Sequence, residues 1–353
     1  MILQELRLQN FRSYAKKTCE FSPETTLVIG PNTAGKTNIL EAIMFLATGK
    51  SFRAGMDREA IRWGSDLSTI KCRLVTADDF GELELFITKG EVQGQKAPLK
   101  KYLVNGVPRR TVDFVGNLRA VLFWPEHLEL VTDSPSLRRR YLDSVLVQVD
   151  REYQRNLLSY ERGLRQRNRL LDLISEGKAG RQQLLFWNQL LVKAGGYMTE
   201  KRAAFLHFVN QYSVALPQHI STSAHYHIDY DRSVISEERL DQYKDEEVAA
   251  KATLVGPHRD DFSLMIGDIS LASYGSRGEQ RLGVLWLKLA ELSYITEETG
   301  ERPILLLDDI FSEFDEAHRD LVVELIGKQQ TILTSADKSI LEMISDKTLV
   351  LRL

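Results

Sequence analysis

The stretch Leu27-Val28-Ile29-Gly30-Pro31-Asn32-Thr33-Ala34-Gly35-Lys36-Thr37 constrains this chain more than any other, because its G-x-x-x-x-G-K-T spacing is that of a phosphate-binding loop. The flanks have the character such a loop needs. Thr25 to Ile29 is a β-branched run that predicts a strand, and Ile39, Leu40, Ile43 and Leu46 repeat at helical spacing over Thr37 to Leu46. Strand, glycine-bounded loop and helix turn the backbone N–H groups of residues 33 to 37 toward an anion, at a helix end carrying partial positive charge. Gly30 and Gly35 are expected to take backbone angles closed to other residues. Lys36 is expected to reach the outer phosphates of ATP, and the Thr37 hydroxyl to ligate Mg²⁺. Gly30, Pro31, Asn32, Thr33, Ala34, Gly35, Lys36, Thr37 and Asn38 are therefore the nucleotide-binding candidates.

A second run supplies the acids. Pro303-Ile304-Leu305-Leu306-Leu307-Asp308-Asp309 is an unbroken apolar stretch, hence a buried parallel strand, with two carboxylates at its end. Asp308 is expected to hold Mg²⁺ through water, and Asp309 to orient or deprotonate the attacking water. Upstream, Ser276-x-Gly278-x-Gln280 opens the apolar helix Leu282 to Leu292 and forms a second anion-binding helix terminus, or else a simple Gly-containing loop. One triphosphate in one chain does not need two such ends. The economical explanation is a dimer in which this end covers the ATP on the partner's phosphate loop.

The remainder of the N-terminal third is β-rich. Ile2 to Leu8 and Lys17 to Phe21 read as strands separated by Asn10 to Tyr14, where Arg12 alone suggests only a solvated loop. Thr69 to Thr76 and Gly81 to Thr88 predict a hairpin, and Asn105-Gly106 marks another over Tyr102 to Arg110. Leu118 to Trp124 reads as a strand, after which Ser134-Pro135 looks like an N-cap followed by the first helical position. From Tyr153 to Tyr212 the pattern becomes purely helical. Tyr153, Leu157, Tyr160, Leu164, Leu171 and Ile174, then Leu184, Trp187, Leu191, Ala194, Met198, Phe205, Phe208 and Tyr212, follow 4-3 spacing on either side of a break at Glu176 to Gly180. Arg167 and Lys201 interrupt the pattern. This predicts an antiparallel helical hairpin. Pro217 ends it, Ser221 to Asp231 reads as a strand, and Ser236 to Lys251 as one charged helix.

Of 353 residues 43% are hydrophobic and 27% charged, with net charge −3, so no global field draws nucleic acid and any DNA site is a local patch. The candidates are Arg109-Arg110, Arg138-Arg139-Arg140, and the one-face stripe Arg155, Arg162 and Arg169, which fits either a solvated face or DNA contact. Cys19 and Cys72 lie in no metal-ligand pattern and read as reduced thiols of a cytoplasmic protein. No run reaches membrane-spanning length, so no membrane role is expected of this chain by itself.

The order phosphate loop, S-x-G-x-Q, apolar-Asp-Asp and Ser312-Glu313-Phe314-Asp315 resembles the ABC-type ATPase heads, including the SMC-like repair ATPases. Leu8-Gln9-Asn10-Phe11-Arg12-Ser13-Tyr14, Gly256-Pro257-His258-Arg259-Asp260-Asp261, Tyr274 to Arg281 and Leu307 to Asp315 are together similar to the RecF family over nearly the whole chain. The resemblance implies an α/β ABC-type ATPase head, with mixed sheets around the phosphate-loop helix and an inserted, mainly helical lobe. Its parts would be 1–146 and 253–353 for the head, 147–217 for the hairpin lobe, and 218–252 for the return. It implies a slow ATPase using ATP and Mg²⁺ that dimerises on ATP, binds single-strand/double-strand DNA junctions or gaps, and supports RecA loading with RecO and RecR. By resemblance Arg12 lies beside the nucleotide, Ser276 and Gly278 contact the partner's γ-phosphate, and Asp315 lines the dimer interface. Asp309 stands where most ABC heads carry Glu. No histidine follows Thr331 to Ser335, and Phe123 to His127 offers no glutamine. Both departures weigh against a transporter subunit. The insert of about one hundred residues is too short for a long SMC arm at 1.5 Å rise per residue.

Overall fold

The computed structural model describes residues 1–75, 80–212, 226–312, 319, 323, 326–344 and 347–353. These fall into two compact units, one formed by Met1–His127 and Glu291–Leu353, the other by residues 128–212 and 226–290.

The first unit opens with β1 (Ile2–Phe11) and β2 (Tyr14–Glu20), an antiparallel pair. Leu3, Leu6, Leu8 and Phe11 face inward. The jump in phase from Leu3 to Leu6 is a bulge between Leu3 and Glu5, where an extra residue flips the alternation. Next come β3 (Thr25–Ile29) and α1 (Lys36–Thr48), as predicted. Then follow β4 (Leu67–Val75), β5 (Phe80–Thr88), the short pair β6 (Glu91–Val92) and β7 (Gln95–Lys96), β8 (Lys100–Val104), β9 (Val107–Arg109), the single turn α2 (Thr111–Phe114) and β10 (Ala120–Phe123). Asn105 and Gly106 both have positive φ, the turn that the twist of a two-residue hairpin requires. The turn expected between β4 and β5 lies largely outside the described residues.

In the second unit the elements are α3 (Glu129–Thr132), α4 (Pro135–Val149), α5 (Arg151–Ser175), α6 (Leu185–Gln211), β11 (Tyr226–Asp231), α7 (Glu237–Gln242), α8 (Lys244–Ala250), β12 (Asp261–Ile266), β13 (Ile269–Ser270), α9 (Leu271–Tyr274) and α10 (Arg277–Thr299), which runs on into the first unit. The chain ends with β14 (Ile304–Asp308), β15 (Thr331–Ser335) and β16 (Leu349–Arg352).

Two sheets enclose α1. The antiparallel one has the order β2-β1-β4-β5-β8-β9, the parallel one β10-β14-β15-β3-β16. Eleven of the thirteen α1 residues are buried, which suits a helix covered on both sides by sheet rather than a surface helix with one apolar stripe. All of β3, β14 and β15 is buried, as strands covered on both faces must be. Gln330 ties the sheets together: its amide donates to the carbonyls of Leu3 (2.7 Å) and Ser22 (2.8 Å) and accepts the Leu3 N–H (2.7 Å). Cys19 and Cys72 are buried, both opposite Leu6 on strands flanking β1. Two strand spacings, about 10 Å, separate them, too far for a disulfide. Burial pushes the thiols up to about 11 and about 12.

The helical hairpin forms as predicted from α5 and α6. Its two interrupting cations are satisfied in place. Arg167 donates to Glu247 (2.6 Å), Thr253 (2.8 Å) and Asn188 (2.8 Å), all fully or partly buried, and Lys201 pairs with Asp150 at 3.1 Å. Ser236 to Lys251 is two helices, not one. They break at Tyr243, and the second brings Glu247 inward onto Arg167. Ser134 stands at the N-cap position of α4, but its hydroxyl pairs with Ser136 (2.7 Å) instead of a helix N–H. Pro217 and residues 221–225 lie outside the described residues; the strand predicted there is seen from Tyr226 on.

The expected grouping of residues 253–353 with the head differs from the observed units. Residues 253–290 pack with the hairpin, because buried Arg202 on α6 binds the Pro257 carbonyl (2.7 Å), Asp260 (3.0 Å) and Asp143 (2.8 Å), while Arg138 on α4 binds both oxygens of Asp261 (2.6 and 2.9 Å). Among the described residues no helix is long and apolar enough to cross a membrane.

Candidate functional site: a phosphate loop facing paired carboxylates

Parallel pairing places the C-terminal ends of β3, β14 and β15 along one edge, with β15 between the other two. The phosphate loop leaves β3 there, and Asp308 and Asp309 leave β14. This is where an open parallel sheet binds its ligand. Gly35 caps α1 at φ +100, a left-handed conformation that favours glycine, and a Cβ there would meet the Tyr14 hydroxyl at 2.7 Å. Thr33 also has positive φ. Gly30 does not, which corrects the expectation for it. Its reason is space: a Cβ would press on Leu353, whose N–H bonds back to Ile29. The Ala34 N–H is turned into the loop, onto the Pro31 carbonyl at 3.2 Å. The Asn38 N–H is taken by the Gly35 carbonyl at 2.9 Å, while the N–H groups of Lys36 and Thr37 open the helix, where no preceding turn offers an acceptor. Pro31, Asn32 and Thr33 are exposed, and Thr37 is half-buried. Lys36 is buried with its Nζ on the Gly30 (2.8 Å) and Pro31 (3.1 Å) carbonyls, folded over the loop it is expected to serve.

The β1–β2 turn abuts this loop. Tyr14 lies against Ala34 (3.4 Å), and Asn38 donates to the Ser13 hydroxyl (2.9 Å). Arg12 is therefore beside the nucleotide candidates. It is not a solvated residue: Nε (2.8 Å) and Nη2 (2.5 Å) engage Glu41, and Nη1 the Glu59 carbonyl (3.0 Å). Glu41, buried on α1, also receives Arg53 Nε (2.9 Å) and the Ser51 hydroxyl (2.6 Å). Arg53 further contacts Asn38. Two guanidinium groups against one carboxylate leave net positive charge beside the loop, in addition to Lys36. Glu41, Ser51 and Arg53 were not singled out from sequence; an acid inside the apolar face of α1 was the available signal.

Thr334 links the two acids. Its hydroxyl donates to Asp308 Oδ1 at 2.6 Å and accepts the Asp309 N–H at 3.1 Å, while its carbonyl lies 3.2 Å from the same N–H. Asp308 is buried, and Asp309 is half-buried with φ +48, so the chain turns sharply at that residue. A buried carboxylate at the strand end and a hydroxyl on the facing helix start form a donor set suited to Mg²⁺. Glu313 to Asp315 lie outside the described residues.

The Ser276 segment belongs to the second unit and is a capping box. The Glu279 carboxylate accepts the Ser276 N–H (2.8 Å) and hydroxyl (2.8 Å), and the Glu279 N–H returns to Ser276 Oγ (3.3 Å). These bonds hold the Glu279 carboxyl below its ordinary range. Gln280 fastens the preceding turn through the Leu271 (2.9 Å) and Gly275 (3.2 Å) carbonyls. Gly278 is exposed, with open space around it.

Among the DNA candidates, Arg109, Arg140, Arg155, Arg162 and Arg169 are exposed. Arg110 pairs with Asp113 and Arg155 with Glu152. Arg138 is a correction: it is buried in its ion pair with Asp261 and presents no free cation. Arg139 is half-buried on the Asp260 carbonyl (2.8 Å). The Gly256 to Asp261 segment likewise holds the second unit together. His258 lies between the Tyr160 hydroxyl (2.8 Å) and the Thr253 carbonyl (3.0 Å).

The family profile of the RecF/RecN/SMC N terminal domain matches residues 2–352. The chain is 37% identical over 339 residues to the DNA replication and repair protein RecF of Lachnoclostridium phytofermentans, covering 95% of this chain and 92% of that one. It is 38% identical over 360 residues to the RecF of Herpetosiphon aurantiacus, covering 96% and 94%. Two solved structures of the recombination mediator protein RecF in the RecFOR pathway, RecF-ATP and RecF-ATPrS, are similar at TM-scores of 0.86 and 0.85 and 30% and 31% identity; they cover 96% of this chain and 92% and 93% of theirs. An Smc head bound to the C-winged helix domain of ScpA, at 16% identity and TM-score 0.53, covers 99% of this chain and 94% of its own and shares the fold alone. The fold is that of an ABC-type ATPase head with mixed sheets.

Proposed function

This chain belongs to the RecF family of DNA replication and repair proteins, and we propose that it works as an ATP-dependent clamp that dimerises on gapped or junction DNA and hydrolyses ATP slowly. The observation that carries this reading is the meeting of Lys36, Thr37, Asp308 and Asp309 at one sheet edge, while the Ser276 helix end belongs to a separate unit. In this reading Lys36 leaves the loop carbonyls for the outer phosphates, and Gly30 to Asn38 with Arg12 enclose the nucleotide. Thr37 and Asp308 would hold Mg²⁺, which would supply charge neutralisation for the phosphates. Asp309 orients the attacking water; one methylene shorter than glutamate, it suits slow turnover. Ser276 and Gly278 meet the phosphate held by a second copy, for which Ser276 must exchange Glu279 for the phosphate. Asp315 stays assigned to the dimer interface. Arg109, Arg110, Arg140 and the Arg155, Arg162, Arg169 stripe hold DNA phosphates without base specificity. RecR and RecO are the proposed partners, a reading supported by the pathway named for the solved relatives, and the cytoplasm is the proposed setting.

The test is light scattering with and without a slowly hydrolysed ATP analogue, alongside binding to gapped, duplex and single-stranded DNA. A dimer only with the analogue, and tighter binding to gapped DNA in that state, are expected. A monomer under every condition refutes the clamp. Charge reversal of the stripe should make the salt dependence shallower by about one log–log unit per lost contact.

A further inference from the structure

Trp63 is 98% exposed, while Trp124, Trp187 and Trp286 are largely covered. A fully solvated indole forgoes the burial that normally places this residue in cores and interfaces. It is not on a loose loop. The Arg62 N–H donates to the Asn10 carbonyl (2.8 Å), Ile61 bridges Phe11, and the Ser65 N–H closes the turn on the Arg62 carbonyl (3.0 Å), with Gly64 at φ +81. The same segment reaches the nucleotide corner, since the Arg12 N–H donates to the Ala60 carbonyl at 2.7 Å.

The charges around it favour an acidic ligand. Arg58 and Arg62 are exposed and in no ion pair among the described residues, as is Lys16, which stands opposite Gln9 in the ladder. Asp57 is consumed by Lys100. The exposed acids nearby in sequence are Glu59 and Asp66. Met56 is the one other exposed large apolar side chain in residues 50–64, so the surface offers a single aromatic face among cations and no extended apolar patch. That combination fits an unpaired nucleobase: its face stacks on the indole, and adjacent phosphates meet guanidinium groups. Paired bases inside a duplex have no free face to offer.

We propose that Trp63, with Arg58 and Arg62, forms a contact for single-stranded DNA, the indole stacking on an unpaired base. The proposal rests on the DNA-clamp reading and names the surface that meets the unpaired strand. The test measures fluorescence anisotropy of a labelled oligo(dT), a gapped duplex and a blunt duplex, each with the ATP analogue, for the full-length wild type, Trp63→Ala, Trp63→Phe and Arg62→Ala. Trp63→Ala should weaken oligo(dT) and gapped DNA by about tenfold to hundredfold and leave the blunt duplex within about twofold. Trp63→Phe should keep most of the affinity, and oligo(dT) should quench tryptophan emission in the wild type more than in Trp63→Phe. Unchanged affinities in Trp63→Ala overturn the proposal and leave the surface to a protein partner. Equal weakening on all three DNAs also overturns it, since that is loss of backbone tracking. If the wild type binds none of the DNAs, the clamp reading fails together with the contact; if it binds and Trp63→Ala matches it, only the contact fails.

Discussion

Thr334→Val tests how the paired carboxylates are held. The change is nearly isosteric, and valine suits a buried strand, so packing should survive. What disappears is the hydroxyl that donates to Asp308 at 2.6 Å and accepts from the Asp309 N–H at 3.1 Å. The Thr334 carbonyl, 3.2 Å from that N–H, keeps it satisfied. The loss therefore falls on the Asp308 carboxylate, which is buried and cannot fully recruit water. A hydrogen bond to a charged group is worth about 1.5–3 kcal/mol, so the protein should lose about that much stability, a Tm fall of roughly 2–4 °C. A carboxylate no longer held in one rotamer should also bind metal less well. By isothermal titration, ATP with Mg²⁺ should bind about tenfold more weakly, while ATP with EDTA should bind as to the wild type. Thr334→Ser should restore both. Equal Mg²⁺·ATP affinity in the valine variant, with an unchanged Tm, would refute the argument.

Glu247→Leu should cost about 3–5 kcal/mol by denaturant titration, because it strands the buried Arg167 charge; the double variant Arg167→Leu/Glu247→Leu should recover much of that. Burial, opposed by its bond to Thr253 and reinforced by Arg259 and Arg139, lowers His258 to about 4. The unfolded chain, near 6.5, takes up the proton first. This contribution is full above pH 6.5 and is lost as pH falls toward 4, on the order of 3 kcal/mol, so wild type minus His258→Gln stability should shrink across that window. Glu279→Ala removes the carboxylate that occupies Ser276, so ATP-induced dimerisation should appear at lower protein concentration in light scattering.

The phosphate loop, the apolar-Asp-Asp strand, the Asn-Gly hairpin and the helical hairpin were legible in the sequence because each is written in neighbouring residues: a glycine spacing, an unbroken apolar run, a turn pair, a 4-3 period. The Ser276–Glu279 capping box was legible on the same terms, as a serine followed three residues later by a glutamate. The fates of the buried charges were not. Arg138 looked like a surface cation until Asp261 was placed on it, Arg167 looked like a flaw in a heptad until Glu247 arrived from eighty residues away, and Arg12 looked solvated before Glu41 was seen beneath it. Gly30 is glycine for want of room beside Leu353, not for its φ. Local pattern determines which elements form, because helix and strand periods are properties of adjacent residues. Which charge is desolvated and which hydroxyl meets which carboxylate depends on residues that only chain folding brings together, and that was decided by the tertiary structure.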